Sequence, residues 1–242
     1  MTINYAHRGA SGYFPENTMA AFQSAIELGA TGIETDVQMT SDGELVLIHD
    51  ESLLRTTGVN KLVKDVTLEE LRQLDCGSWF DPKFAGERIP TLDELLQLAK
   101  SASIKLNIEL KSGVVLYPDI EHKLLQKLAE YGLQQQCIIS SFNHYSLALC
   151  HALNPNVATG ILYMEGLYRP WDYAATLGAN ALHAPNYTVN AELVEEAARS
   201  NTSYNVWTVN DPQDMKRLIA TGVAGIITDY PDRLHAILNG EE

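Results

Sequence analysis

Residues 203–228, SYNVWTVNDPQDMKRLIATGVAGIIT, decide the fold. A β-branched and aromatic run at 203–208 is followed by a helical pattern at 211–221 and a second short apolar run at 224–228. Strand, helix and strand in that order make a parallel βαβ unit. The same alternation runs back through the chain. Strands read at 3–7, 32–40, 104–110, 136–140, 157–162 and 179–184. Helical patterns read at 18–28, 91–101, 118–131, 143–153, 170–178 and 190–200. Eight strand-helix units predict an α/β fold of the TIM-type (β/α)8 barrel kind. An open doubly wound sheet is the alternative from alternation alone.

The chain length of 242 residues suits a single barrel domain over 1–242. One stretch breaks the rhythm. Residues 51–90 mix Thr, Gly, Lys and Asp clusters with a short helical pattern at 68–74 and the run Trp79-Phe80-Asp81-Pro82. They read as a small insertion after the second strand, above the barrel mouth.

Acidic residues number 31 and basic residues 17, a net charge of −14. That sign argues against nucleic acid or an anionic membrane as partner, but a few local cations or a bound metal can still receive a small anion. Three cysteines, Cys76, Cys137 and Cys150, with no CxxC pair, imply neither a disulfide framework nor a structural zinc. The N-terminus shows no basic stretch before an apolar run, and no apolar segment has the length of a membrane span. The expectation is a cytoplasmic protein with no stable membrane insertion.

Chemistry in such a barrel sits where the strands end. The first strand ends in His7-Arg8-Gly9, and the second carries Glu34 and Asp36. Glu109 and Lys111 close the third, Ser140-Ser141-Phe142 the fourth, and Trp207 the seventh. Residues two apart on a strand share a face, so Glu34 projects with Asp36, and Asn107 with Glu109 and Lys111. Asp42-Gly43 predicts a two-residue hairpin turn. In that register Ser41 pairs with Glu44, and Asp36 lies opposite His49. Ile33, Val37, Met39, Val46 and Ile48 would then form the apolar face.

Three carboxylates converging on one place repel one another, and a divalent cation resolves the conflict; all-oxygen ligands favour Mg or Ca. His7 and His49 are then free for proton transfer near neutral pH. Arg8 and Lys111 supply donors suited to phosphate. Arg8 has a second possible use, bracing a carboxylate. Glu16 and Asn17 shape the turn before the first helix. Asp50 either orients His49 or caps the insertion, and Asp229, at the end of the last strand, receives no role.

His7-Arg8-Gly9, Pro15-Glu16-Asn17-Thr18, Glu34-Thr35-Asp36 and Val46-Leu47-Ile48-His49-Asp50 follow in order. Leu54-Arg55-Thr56, Ile89-Pro90-Thr91-Leu92, Glu109-Leu110-Lys111 and Trp207-Thr208-Val209-Asn210 complete the set. Over nearly the whole chain this resembles the glycerophosphodiester phosphodiesterase family, of the cytoplasmic bacterial type. The resemblance implies a TIM-type barrel with a small insertion after the second strand. It implies hydrolysis of glycerophosphodiesters, such as glycerophosphocholine or glycerophosphoethanolamine, to sn-glycerol 3-phosphate and an alcohol. It places Mg or Ca on Glu34, Asp36 and Glu109, acid–base catalysis on His7 and His49, and phosphate on Arg8 and Lys111.

A two-step course through a cyclic phosphate fits both readings, with His7 as base and His49 as acid in the first step. Direct attack by water is the alternative. Phe142 and Trp207 are candidates for a substrate pocket. A lipid-directed relative, lysophospholipase D-like or sphingomyelinase-like, would need an apolar approach surface, for which Trp79, Phe80 and Phe84 are the candidates. Aromatics in 79–84 or 163–171 could also join copies of the chain as a homo-oligomer. A binding barrel that has lost the reaction is disfavoured, because both histidines and all three carboxylates are present.

Overall fold

A computed structural model describes residues 2–241. Strand β1 (Ile3–His7) leads into helix α1 (Met19–Glu27), where the Thr18 hydroxyl accepts from the Ala21 N–H at 3.2 Å and caps the first turn. Strand β2 (Gly32–Met39) folds back as β3 (Leu45–Leu47). Helices α2 (Leu54–Thr57) and α3 (Leu68–Leu71) precede α4 (Leu92–Ala102). The alternation then runs unbroken through β4 (Lys105–Leu110), α5 (Ile120–Tyr131), β5 (Cys137–Ser141), α6 (His144–Leu153) and β6 (Ala158–Leu162). It continues through α7 (Pro170–Thr176), β7 (Ala181–Pro185), α8 (Ala191–Arg199), β8 (Ser203–Trp207), α9 (Pro212–Thr221) and β9 (Gly225–Thr228). Helix α10 (Pro231–Asn239) completes the eighth unit, and the sequence reading did not place it.

The sheet order is β1-β9-β8-β7-β6-β5-β4-β2-β3, and an additional β1–β2 pairing closes it. Eight parallel strands therefore form a TIM-type barrel, with β3 as an extra antiparallel strand. Val37 bridges Leu110 on one side and Leu47 on the other. β3 thus takes the edge of β2 beyond the point where β1 stops.

The main core lies between strands and helices. On α4, Leu92, Leu95, Leu96 and Ala99 are fully buried, the i, i+3, i+4, i+7 stripe of an amphipathic helix. They pack in one cluster with Ile33, Leu106, Ile108 and Leu124. Each buried leucine or isoleucine contributes about 1.5–3 kcal/mol through burial, and Leu96→Ala would remove about 2–5 kcal/mol. The barrel interior is polar in its middle layer. His183 is fully buried there between the amides of Asn107 (3.4 Å) and Asn205 (3.1 Å). Gly160 makes room for it: a Cβ at that position would meet His183 Nε2 at 2.5 Å.

The hairpin corrects the expected register. Val37 pairs with Leu47, Gln38 with Val46 and Met39 with Leu45. The turn holds three residues, because Gly43, at φ +85°, sits in the left-handed region and its N–H bonds to Thr40 O at 3.0 Å. One more residue in the turn shifts every pair by one. Asp36 therefore meets Ile48, not His49, and Leu45 and Leu47, not Val46 and Ile48, share the apolar face of Val37 and Met39 in the main core. Val46 and Ile48 face the other way, into a second cluster with Leu53, Val63, Val66, Leu71, Cys76 and Ile89. That cluster seats the 51–90 stretch against the hairpin.

Candidate active site

Parallel register sets the acidic cluster. Asp36 is paired with Glu109 across β2 and β4, and Glu34 is paired with His7 across β1 and β2. Glu34, Asp36 and Glu109 are buried, and each offers a carboxylate oxygen within 4.8 Å of the others. Burial and repulsion from Asp36 push Glu34 well above the usual carboxylate range and Glu109 up to about 7. Burial acts on Asp36 in the same direction, but Arg8, His49 and Lys111 outweigh it and hold this carboxyl below its ordinary value. The Asn17 amide donates to Asp36 Oδ2 at 2.9 Å, while Asp36 Oδ1 is buried with no hydrogen-bond partner. An orphaned, ionised oxygen beside two more carboxylates fits a hard divalent cation. Glu34, Asp36 and Glu109 are the residues that could hold it.

Two imidazoles flank the cluster, each anchored in the same way. His7 Nδ1 donates to Asp229 Oδ1 at 2.6 Å, and His49 Nδ1 donates to Asp50 Oδ1 at 2.7 Å. The ionised carboxylates accept only, so Nδ1 carries the proton and Nε2 is left for chemistry. Burial would raise Asp229, but hydrogen bonds from His7, Asn210 and Ser11 hold it at about 2. The bonds from Arg55, then those from His49, hold Asp50 at about 2 against partial burial.

Lys111 Nζ lies 3.1 Å from Glu109 Oε1 and 3.3 Å from His49 Nε2. Burial works against its charge; Glu109 and Asp36 more than offset that and raise its pKa. Arg8 takes up the bracing role left open by the sequence. Its Nε is 3.3 Å from Asp36 Oδ2, near enough for an ion pair but off-line for a hydrogen bond, and its Nη1 donates to Glu16 Oε1 at 2.9 Å. It still lines the pocket.

That pocket encloses about 270 Å³. Its polar wall includes His7, Arg8, Glu34, His49 and Glu109; its apolar wall includes Phe142, Leu162, Met164, Trp207 and Ile227. Phe142 and Trp207 meet edge to face at 6.0 Å. Every candidate from the sequence thus gathers at one end of the barrel.

The glycerophosphoryl diester phosphodiesterase family model matches residues 7–233. This chain belongs to that family. A glycerophosphodiester phosphodiesterase of Caldanaerobacter subterraneus subsp. tengcongensis is 50% identical over 233 residues, which cover 96% of each chain. The crystal structure of the glycerophosphodiester phosphodiesterase from Agrobacterium tumefaciens superposes with TM-score 0.87 at 28% identity, covering 98% of this chain and all of the other (100%). An Oleispira antarctica phosphodiesterase, solved with the product sn-glycerol-3-phosphate, gives TM-score 0.86 at 30% identity over 97% of this chain and 96% of the other.

This glycerophosphodiester phosphodiesterase barrel, a phosphoric diester hydrolase, uses residues that the sequence reading undervalued. Asn17 touches Asp36, Glu16 bridges two arginines, and Asp229 anchors His7. Only the strand-end position of Asp229 hinted at its use. His183, the middle residue of β7, is fully buried, and burial pushes its pKa down to about 3 and keeps it neutral.

The exposed apolar side chains lie partly where the sequence suggested: Trp79 is exposed and Tyr168 falls within 163–171, while Phe80 and Phe84 are half-buried. Trp79, Phe80 and Phe84 stack on one another, and Phe84 on Phe14. Tyr168 (92% exposed), together with Tyr145 (89%), Val114 (79%) and Leu116 (78%), which the sequence reading did not name, lies on the loops and helix starts after β4, β5 and β6, at the mouth. Among the described residues, no helix is long and apolar enough to cross a membrane.

Proposed function

We propose that residues 1–242 act as one barrel domain, with 51–90 as an insertion, that hydrolyses small glycerophosphodiesters such as glycerophosphocholine or glycerophosphoethanolamine. The products are sn-glycerol 3-phosphate and the free alcohol. One observation carries this reading: two imidazoles, each fixed at Nδ1 by a carboxylate, line one pocket beside three buried acids within 4.8 Å of one another. The product named for the Oleispira enzyme supports the same substrate class.

Glu34, Asp36 and Glu109 would hold Mg or Ca, which when bound supplies positive charge beside the phosphate. His7 Nε2 takes the proton from the glycerol 2-hydroxyl. That oxygen bonds to phosphorus, and the phosphorus–alcohol bond breaks as His49, entering the step with a proton on each ring nitrogen, gives the one on Nε2 to the leaving oxygen. Water then opens the cyclic phosphate with the two roles exchanged. Proximity favours this course, since a well-placed intramolecular hydroxyl has an effective molarity of about 10⁵ M or more. Lys111 and Arg8 offset phosphate charge, and Phe142 and Trp207 form the apolar wall against which the substrate packs. Three buried, unpaired cysteines support a reducing, cytoplasmic setting.

The test is release of glycerol 3-phosphate across a head-group panel, with chelator and then with Mg or Ca restored. Turnover should stop with chelator and return with the cation, and His7→Ala and His49→Ala should each abolish it. Full activity in either variant would sink the assignment. A second reading, a lysophospholipase D-like enzyme, is favoured by the apolar mouth formed by Val114, Leu116, Tyr145 and Tyr168. Choline release from lysophosphatidylcholine faster than from glycerophosphocholine would establish it.

A further inference from the structure

A run of alternating charges leaves the acidic cluster and returns to the site at the second histidine. Asp36 pairs with Arg8, and Arg8 with Glu16. Glu16 then receives two hydrogen bonds from Arg55, Nη1 to Oε2 at 2.9 Å and Nη2 to Oε1 at 2.7 Å. Arg55 also grips Asp50, Nε to Oδ2 at 2.6 Å and Nη2 to Oδ1 at 3.1 Å. Asp50 in turn accepts from His49 Nδ1. One guanidinium thus joins a loop beside the first strand to the residue that aims the imidazole.

The placement of Arg55 matters. It stands on α2, within the 51–90 stretch, and its guanidinium carbon lies 5.4 Å from the centre of the Trp79 ring. His49 itself lies beyond the end of β3, so the strand ladder does not hold it. Asp50 is a loop residue with partial exposure and could swing away unless something fixed it. A planar five-donor fork can hold two carboxylates at once; an ammonium cannot do so with the same geometry.

We propose that Arg55 is a positioning residue for His49. Its fork locks Asp50 against Glu16, and the locked carboxylate holds the imidazole in the tautomer and orientation that aim Nε2 at the pocket beside Lys111. The 51–90 stretch therefore completes the site as well as covering the hairpin. This inference rests on the reading of His49 as an acid–base group.

The test compares Arg55→Ala, Arg55→Met and Arg55→Lys in the full chain, using glycerophosphocholine and saturating Mg. The kcat of Arg55→Ala and Arg55→Met should fall about 10- to 100-fold, the usual loss when a partner that orients an imidazole is removed. KM should change far less. Arg55→Lys should recover only a minor part of the loss. Added guanidinium ion should restore kcat in Arg55→Ala and leave Arg55→Met, whose side chain fills the space, unchanged. The ¹⁵N shifts of the His49 ring, read without substrate, should report protonated Nδ1 in the wild type and mixed tautomers in the variants.

Unchanged kcat and unchanged ring shifts in Arg55→Met would overturn the proposal. So would a loss in Arg55→Ala that guanidinium fails to relieve while the protein stays folded. If His49→Ala keeps full activity, the underlying reading of the site fails instead, whatever Arg55 does.

Discussion

His7 Nδ1 and Asp229 Oδ1 lie 2.6 Å apart, although 222 residues separate them in the chain. Asp229 also accepts from Asn210 Nδ2 at 2.6 Å and from Ser11 Oγ at 3.0 Å, so the carboxylate is held from three sides. Asp229→Asn replaces an obligate acceptor with an amide that can also donate, and the His7 tautomer is no longer dictated. We expect kcat to fall about 10- to 100-fold with little change in KM. Steady-state kinetics on glycerophosphocholine decide it, and wild-type turnover would refute the role.

The same pair predicts an acid limb in stability. Asp229 sits at about 2 against an ordinary 3.8. A depressed carboxyl stabilises the fold above its unfolded value and loses that contribution as pH falls through its folded value. The difference amounts to about 2 kcal/mol. Denaturant unfolding of wild type and Asp229→Asn should show a gap near neutrality that closes between about pH 4 and pH 2. A gap independent of pH would contradict it.

Glu109 runs the opposite way. Its carboxyl is raised to about 7, first by burial and then by Asp36. Without a cation, ionising it costs stability, so the protein should weaken as pH rises from about 4.5 to about 7. A bound divalent ion replaces the proton, and its binding therefore strengthens with pH. Thermal unfolding with Mg or Ca should show a larger rise in Tm at about pH 8 than at about pH 5.5, and Glu109→Gln should abolish most of it. An equal rise at both values would remove the triad from consideration as the binding site.

Leu71 is fully buried in the cluster that seats the 51–90 stretch. Leu71→Ala should cost about 2–5 kcal/mol. Because Arg55 stands on the same stretch, kcat should fall as well. Calorimetry and kinetics on one preparation test both; a destabilised variant with wild-type kcat would separate the stretch from the site.

Trp207 lines the apolar wall, and its Nε1 is buried with no hydrogen-bond partner. Trp207→Ala deletes that wall and the contact with Phe142. We expect KM for glycerophosphocholine to rise about tenfold, equivalent to about 1.4 kcal/mol of substrate binding. An unchanged KM would place the substrate elsewhere in the pocket.

The sequence by itself determined the strands, their order and the residues that crowd one end of them. Spacing by two puts Glu34 with Asp36 on one face, and alternation of strand and helix dictates a parallel sheet; both are local rules that need no distant partner. What it could not supply were relations that depend on how the sheet closes or how a turn is built. The hairpin slipped by one residue because Gly43 takes a left-handed conformation, which the dipeptide Asp-Gly permits in turns of either length. Asp229 had no visible partner because only the pairing of β1 with β9 brings the last strand beside the first. Glu16 read as a turn residue, Asp50 stood between orienting His49 and capping the insertion, and Arg55 carried no role beyond its motif, since their ion pairs span up to 39 positions and form only once the 51–90 stretch is seated. Barrel closure and long-range charge pairing are properties of the packed molecule, and they decided how each histidine is aimed.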